Sequence, residues 1–173
     1  PSQEKIGNFL IKRTHVWFST FLFYVNPGMY KQMLNDDLDI IHAIGIRSFQ
    51  AFIAALVSKR KNIPLVISDQ GGLTTHPNLK ESSFVKRILI EFQKPLIKFI
   101  IGQASKIVVA NDYEKKIFQN FCNESKIIII KNGIDLDILS STKVNFKSKY
   151  NINQEYILFL GRFDKIKGID TLI

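Results

Sequence analysis

Cysteine is all but missing. Cys122 is the one thiol in 173 residues, which excludes an internal disulfide and any multi-cysteine metal site and fits a reducing, cytoplasmic setting. Histidine is nearly as rare, and His15, His42 and His76 are too dispersed to suggest a metal centre, so none is expected. No Gly-x-Gly-x-x-Gly follows an apolar run, no Walker loop occurs and no Gly-x-Ser-x-Gly is present. Nicotinamide binding, P-loop chemistry and the serine elbow therefore lack their fingerprints. Acidic residues are scarce, 15 against 24 basic, for a net charge of +9. Such an excess suits nucleic acid, an anionic membrane or phosphorylated ligands. The lysines are scattered, however, and no block of five like charges occurs, so a composition bias on solvated faces accounts for the charge and no nucleic-acid partner is expected. Long apolar runs are missing too: the most apolar stretch near the start, Val16 to Val25, is about ten residues, half of what a bilayer requires.

What is present is ordinary globular material, 46% hydrophobic and 23% charged, enough for one core. The chain opens on Pro1 without a methionine and stops at Ile173 inside a helix's first turn, so it is expected to be a piece of a longer protein. Residues 1 to 15 carry no pattern, and the aromatic stretch Val16 to Val25 reads as either a buried strand or a helix on the domain's flank. Asn26-Pro27 is a good helix start, a capping side chain before a proline at the first helical position. Leu38 to His42 reads as a short buried strand running into Ala43-Ile44-Gly45. Phe49, Phe52, Ile53, Leu56 and Val57 then form one apolar stripe on a helix from Arg47 to Arg60.

Leu65 to Ser68 is the next strand, and it leads into a polar loop, Asp69 to Pro77, with tandem glycines Gly71 and Gly72. Phe84, Val85, Ile88, Leu89 and Phe92 mark a helix that Pro95 is expected to break or kink before Leu96 to Ile101 continues. Lys106 to Ala110 is a third strand. Asn111 with Glu114 resembles a capping box, with Tyr113, Ile117 and Phe121 expected on the helix's buried face. Ile127 to Ile130 is a fourth strand, ending at Lys131-Asn132-Gly133-Ile134-Asp135. A polar linker from Ser140 follows, with one helical turn near Phe146 to Tyr150.

Strands alternate with helices throughout, and the strands are apolar runs without alternation. That predicts an α/β fold, a Rossmann-like parallel sheet flanked by helices, with strands covered on both faces. Right-handed crossovers place the loops that follow the strands on one edge of such a sheet, where ligands bind. Those loops hold His42 and Gly45, Asp69 to Gly72, Asn111 and Asn132 to Asp135.

The last stretch, Tyr156 to Asp170, carries the sharpest signal. Five apolar residues, Tyr156 to Leu160, read as a strand buried on both faces. Gly161 and Arg162 follow, then Lys167-Gly168 and a helix from Ile169. Strand, tight basic loop and helix start is how α/β proteins hold phosphate: glycine allows close approach, Arg162 offers a planar fork and Lys167 a point charge. A basic surface turn is the plain alternative.

The pattern G-R-x-D-x-x-K-G resembles the loop that opens the C-terminal domain of retaining glycosyltransferases of family four, of GT-B type. Leu38-Asp39-Ile40-Ile41-His42-Ala43, Ile63 to Ser68 and Lys131-Asn132-Gly133-Ile134-Asp135 are similar to further elements of that family in the same order, so the resemblance runs from about Leu38 to Ile173. It implies transfer of a sugar from a nucleoside-diphosphate-sugar to a saccharide or lipid acceptor, with retention and without a metal or other cofactor. Arg162 and Lys167 become the catalytic cations on the leaving diphosphate, with Gly161 and Gly168 completing its site. His42, Gln70, Gly71, Gly72, Asn132 and Asp135 become acceptor-side candidates. Residues 1 to 150 become a partial N-terminal domain with its linker, and 151 to 173 the opening of the donor-binding domain. Family segments outside 1 to 173 are needed for turnover, so the piece is expected to be inactive alone.

There is a departure: Gln70 stands where many members carry a histidine close to the reacting sugar, and glutamine cannot act as an acid or base. For His42 a hydrogen-bonded core role is equally open, and for Asn132 and Asp135 a turn role, because Asn-Gly favours turns. Two other readings remain. One is a peripheral membrane-binding module using the lysine-dotted helices around Phe84 to Ile101 on the inner face of an anionic membrane. The other is a GT-B sugar-nucleotide epimerase.

Overall fold

The computed structural model describes residues 3–20, 23–73, 84–137, 145–161, 163 and 167–172, without the side chains of 20 and 84–92. The chain divides into two compact units, Pro1–Asn132 and Gly133–Ile173.

The first unit is built on a four-stranded parallel sheet, β5 (Ile41–Ile44), β6 (Leu65–Ser68), β7 (Lys106–Val109) and β8 (Ile127–Ile129), side by side in chain order. Two small antiparallel hairpins precede it: β1 (Gln3–Ile6) with β2 (Phe9–Lys12), and β3 (Phe18–Thr20) with β4 (Phe23–Val25). Helix α1 (Gly28–Asn35) follows the hairpins, α2 (Phe49–Lys61) joins β5 to β6, α3 (Phe84–Gln103) joins β6 to β7, and α4 (Asp112–Phe118) joins β7 to β8. The α/β reading and the helix-flanked parallel sheet hold. β6 falls on the residues expected of it, whereas the first sheet strand begins at Ile41, not Leu38.

Register explains the core. Ile41 pairs with Leu65, Ala43 with Ile67, Ile67 with Ile107 and Ile107 with Ile127, so these side chains lie on one face. There they meet Ala51, Ile53, Ala54, Ala55 and Val57 of α2, Ile97, Ile100 and Ile101 of α3, and Phe118 of α4. The alanines, invisible to a search for large apolar residues, let α2 lie close to the sheet. Strands taken in order with right-handed crossovers place their helices on the same side. Burial therefore alternates, and the other face carries His42 and Ile44 exposed beside half-buried Val66, Ser68 and Val108. Covering on both faces, expected from the unbroken apolar runs, is not what these strands have.

Local chemistry sets the helix ends. The Ser48 hydroxyl accepts the Ala51 N–H at 3.0 Å to start α2, and Asn62 ends it in the left-handed region at φ 56°. Asn26 does not cap α1. It is buried, its Nδ2 donates to Thr14 Oγ1 at 2.7 Å, and its Oδ1 accepts from Gln50 Nε2 at 2.8 Å, tying the segment before β3 to α2. Pro95 lies inside α3, which continues as one helix from Phe84 to Gln103. Asn111 caps α4 by accepting the Glu114 N–H at 2.9 Å, and the Glu114 carboxylate reaches back to the Ala110 N–H at 2.8 Å, one residue before the usual capping-box donor. That bond draws Glu114 inward and rotates α4, so Glu114 and Phe118 are buried while Tyr113 and Phe121 face solvent. Of the stretch Val16 to Val25, the described residues form a largely exposed antiparallel strand pair, Phe18–Thr20 with Phe23–Val25, neither a buried strand nor a helix.

In the second unit, α5 (Phe146–Lys149) is the turn expected near Phe146 to Tyr150, and α6 (Ile169–Leu172) starts where the helix after Lys167-Gly168 was expected. Tyr156 to Leu160 is not a buried strand: Ile157 is 83% and Leu160 93% exposed. A two-faced strand needs ladder partners and covering helices, and the described residues of this unit supply only two four-residue helices.

Candidate functional site

The carboxyl ends of the parallel strands gather the chemistry-bearing loops of the first unit. Ladder bonds carry on past the strands: Gly45 N–H donates to Ser68 O at 2.9 Å, Asp69 N–H to Val108 O at 3.1 Å, and Ile130 N–H to Val109 O at 2.9 Å. These bonds hold the loop residues in register with the sheet. Gly45 sits at φ 84°, a conformation that suits glycine.

Asp69 organises the loop after β6. Its side chain is 2% exposed, Oδ1 accepts the Gly72 N–H at 3.1 Å and Oδ2 the Leu73 N–H at 3.0 Å. Burial pushes its carboxyl above the ordinary range, the N–H groups of Leu73, Ile46 and Gly72 oppose that, and the negative charge of Glu114 adds to it. The nearby cation is Arg47, two residues beyond Gly45, whose guanidinium is held below its usual pKa by burial and raised by Asp69. The Arg47 Nε is sealed from solvent without a hydrogen-bond partner.

On the exposed sheet face, His42 Nε2 and Ser68 Oγ lie 2.7 Å apart and share a hydrogen bond whose direction follows the imidazole tautomer. The register aligns Ile44 with Ser68 and His42 with Val66, so the contact is a diagonal one between neighbouring strands. His42 is exposed and partnered, hence neither a core residue nor a free base.

Gln70 is exposed beside buried Gly71 (φ 82°) and half-buried Gly72. A Cβ on Gly72 would stand 2.4 Å from Asp69 Oδ1, so glycine is required there by the buried carboxylate. Asn132 is exposed at the end of the first unit. Asp135 belongs to the second unit, where its Oδ1 accepts the Asp137 N–H at 3.0 Å, an Asx-turn contact.

In that second unit Lys167 is exposed, and Gly168, at φ 64°, turns the chain into α6, with Thr171 N–H donating to Gly168 O at 3.0 Å. Gly161 is exposed, with the Phe159 ring 3.2 Å from where its Cβ would be. Arg162 lies outside the described residues, as do the linker from 138 to 144 and the tip of the glycine loop with His76.

The structure thus brings His42, Gln70, Gly71 and Gly72 to the carboxyl edge of the sheet, together with Ser68, Asp69 and Arg47, with His42 and Ser68 on the open face and Asp69 turned to the core side. Arg47 and Ser68 were not among the sequence candidates. The available signal was their position, a basic residue and a hydroxyl at the carboxyl ends of two adjacent strands. Among the described residues no group of three or more His, Cys, Asp and Glu side chains could hold a metal ion, and no helix is long and apolar enough to cross a membrane. The membrane-surface reading draws on the stretch from Phe84 to Ile101, of which the side chains of 84–92 lie outside the described residues.

Comparison with known proteins reaches most of this architecture. The family model described as Glycosyltransferase Family 4 matches residues 7–138, which includes β2, the β3–β4 pair and the whole parallel sheet. An uncharacterized glycosyltransferase of Methanocaldococcus jannaschii is 30% identical over 95 residues, covering 54% of this chain and 24% of that protein. The chain therefore matches about a quarter of that relative's length.

Proposed function

The chain belongs to glycosyltransferase family 4, and from that premise we propose that it supplies the acceptor-side part of an enzyme that transfers a sugar from a nucleoside-diphosphate-sugar with retention. The observation that carries this reading is the convergence of Arg47, Ser68, His42 and the Asp69–Gly72 loop at the carboxyl edge of the family's parallel sheet. Ligands of open α/β sheets bind at that edge. In this reading residues 1 to 150 are the acceptor-side domain with its linker, and 151 to 173 open the donor-binding domain.

The negative charge on the leaving diphosphate grows as the glycosidic bond breaks. Lys167 and Arg162, on the loop before α6, would meet that charge. A donor aimed at developing charge lowers the barrier by about 3–4 kcal/mol, on the order of a thousandfold in rate. His42, held by Ser68, would hydrogen-bond an acceptor hydroxyl. Gln70 can donate or accept a hydrogen bond but cannot shuttle a proton, so the acceptor hydroxyl must lose its proton to another group. In a retaining reaction the departing diphosphate is an available base.

The test is nucleoside-diphosphate binding and sugar transfer by the complete gene product, with Lys167→Ala and Arg162→Ala beside wild type. Severalfold weaker UDP or GDP binding in both variants, with transfer falling at least tenfold, supports the assignment. Binding indifferent to both substitutions reduces the terminal loop to a basic turn.

A further inference from the structure

From Lys5 to Asn35 the chain has no acidic residue, while Lys5, Lys12, Arg13, His15 and Lys31 all fall in that span. The span includes the turn of the first hairpin, the whole second hairpin and α1. In the first hairpin Gly7, at φ 57°, makes the turn with Asn8, and every residue from Ile6 to Leu10 is exposed. Register pairs Ile6 with Phe9 and Gln3 with Lys12. The face with Lys12 turns towards the end of α1, where Lys12 ion-pairs with Asp36, so Ile6 and Phe9 lie on the opposite face. Phe9 is 76% exposed. In the second hairpin the Phe23 ring meets Phe49 of α2 edge-on at 6.1 Å, which marks the inner face. Trp17, whose N–H extends the ladder by donating to Val25 O at 2.8 Å, shares the outer face with Ser19 and Tyr24. Trp17 is 70% exposed, and Tyr24 is exposed too. Large apolar residues left outside in two successive hairpins mark contact with another body.

We propose that the two hairpins form a docking surface for an anionic membrane. Three features choose lipid over a folded partner. The tip of the first hairpin is exposed on both faces, the form of a wedge that enters headgroups, not of a face that fits a groove. Trp17 and Tyr24 each join an apolar ring to one polar atom, the chemistry that settles between headgroups and acyl chains. Lys12 and Arg13 are occupied by Asp36 and Glu4, but Lys5 and Lys31 are exposed without an ion pair, and no carboxylate within the span opposes anionic headgroups. The second hairpin is tied to the first turn of α2 by Gln50 Nε2, which donates to Tyr24 O at 3.1 Å. Docking therefore holds the loop of Gly45 and Arg47, just before α2, close to the lipid.

Sedimentation with vesicles tests this on the complete gene product. The protein should pellet with an equal mixture of phosphatidylglycerol and phosphatidylcholine, pellet far less with phosphatidylcholine alone, and leave the charged vesicles at high salt. Trp17→Ser combined with Phe9→Ser should weaken binding about tenfold or more, and Lys5→Gln about fivefold. These side chains are exposed, so the variants should melt as wild type does, which separates lost anchoring from lost folding. Nitroxide-labelled lipid should also quench Trp17 emission, read as the difference from Trp17→Phe, whatever the stability of the serine variants.

The proposal is overturned if wild type pellets with neither vesicle, if pelleting ignores lipid charge, or if the nitroxide leaves Trp17 emission unchanged. Pelleting that survives the paired serines overturns it as well, since the contact then lies elsewhere. So does an oligomer that the paired serines split while nothing pellets, because the hairpins then join copies of the chain. Vesicle binding needs neither donor nor acceptor, so its failure leaves the transferase reading and its nucleotide test untouched.

Discussion

Gly72→Ala tests the idea that a buried carboxylate fixes the loop at the sheet edge. The added methyl would lie 2.4 Å from Asp69 Oδ1, 3.4 Å from its Cγ and 3.6 Å from Oδ2, and the first of these distances is impossible for real atoms. Asp69 cannot swing away, since it is 2% exposed and both oxygens are held by backbone N–H groups at 3.1 and 3.0 Å. The loop must therefore move, and the hydrogen bonds from Gly72 and Leu73 lengthen or break. Hydrogen bonds to a charged group are each worth about 1.5–3 kcal/mol, and partial relaxation recovers some of the loss, so the expected cost is about 2–4 kcal/mol. Urea denaturation should show a lower midpoint at unchanged slope. A double-mutant cycle isolates the cause: in an Asp69→Ala background the methyl meets no carboxylate, and the coupling should be about 1 kcal/mol or more. A Gly72→Ala protein within about 0.5 kcal/mol of wild type would refute the reasoning. So would one that suffers the same loss with Asp69 already removed.

Asp69 also sets a pH dependence. Burial raises its folded pKa above the ordinary 3.8, so between those values the folded state binds more protons than the unfolded one and stability falls as pH rises. Urea midpoints measured upward from about pH 4 should show that decline, and Asp69→Asn should flatten it. Gly102→Ala, near the end of α3 with open space around the new Cβ, should stabilise by about 0.5–1 kcal/mol in thermal melts, because alanine loses less freedom in a helix than glycine. Asn111→Ala removes the cap that accepts the Glu114 N–H and should cost about 1 kcal/mol, with Asn111→Asp recovering most of it.

How much of this was legible in the sequence depends on what each element leans on. β6 and α2 were readable because Leu65 to Ser68 is bounded by Pro64 and Asp69, and the Phe49-to-Val57 stripe repeats at helical spacing. The α4 face was not, because the buried residue is Glu114, whose charge hides the position from any apolar count while its carboxylate is spent on the Ala110 N–H. The two hairpins were missed because their side chains are largely exposed, so no alternating pattern marks them. Tyr156 to Leu160 misled in the opposite direction, since apolar content says that a strand wants burial and cannot say that neighbours are there to provide it. At the candidate site, glycines and loop polar groups could be located by position alone. That Asp69 is committed inward and Arg47 unpaired depends on where Ile46, Gly72 and Leu73 place their backbone N–H groups, which no local pattern reports.

The sheet's strand order has a consequence for how the protein is made. Ile41 pairs with Leu65, Val66 with Lys106, and Ile107 with Ile127, so every strand docks on the one synthesised just before it. A chain emerging from the ribosome can therefore extend its sheet one strand at a time, without inserting a later strand between two earlier ones. The widest gap, between Val66 and Lys106, encloses the glycine loop and all of α3. Because closure entropy grows only with the logarithm of length, that step costs about 0.6 kcal/mol more than a crossover half as long. β7 is thus the point at which the growing domain waits longest for its next partner, with the β6 edge open to solvent in the meantime.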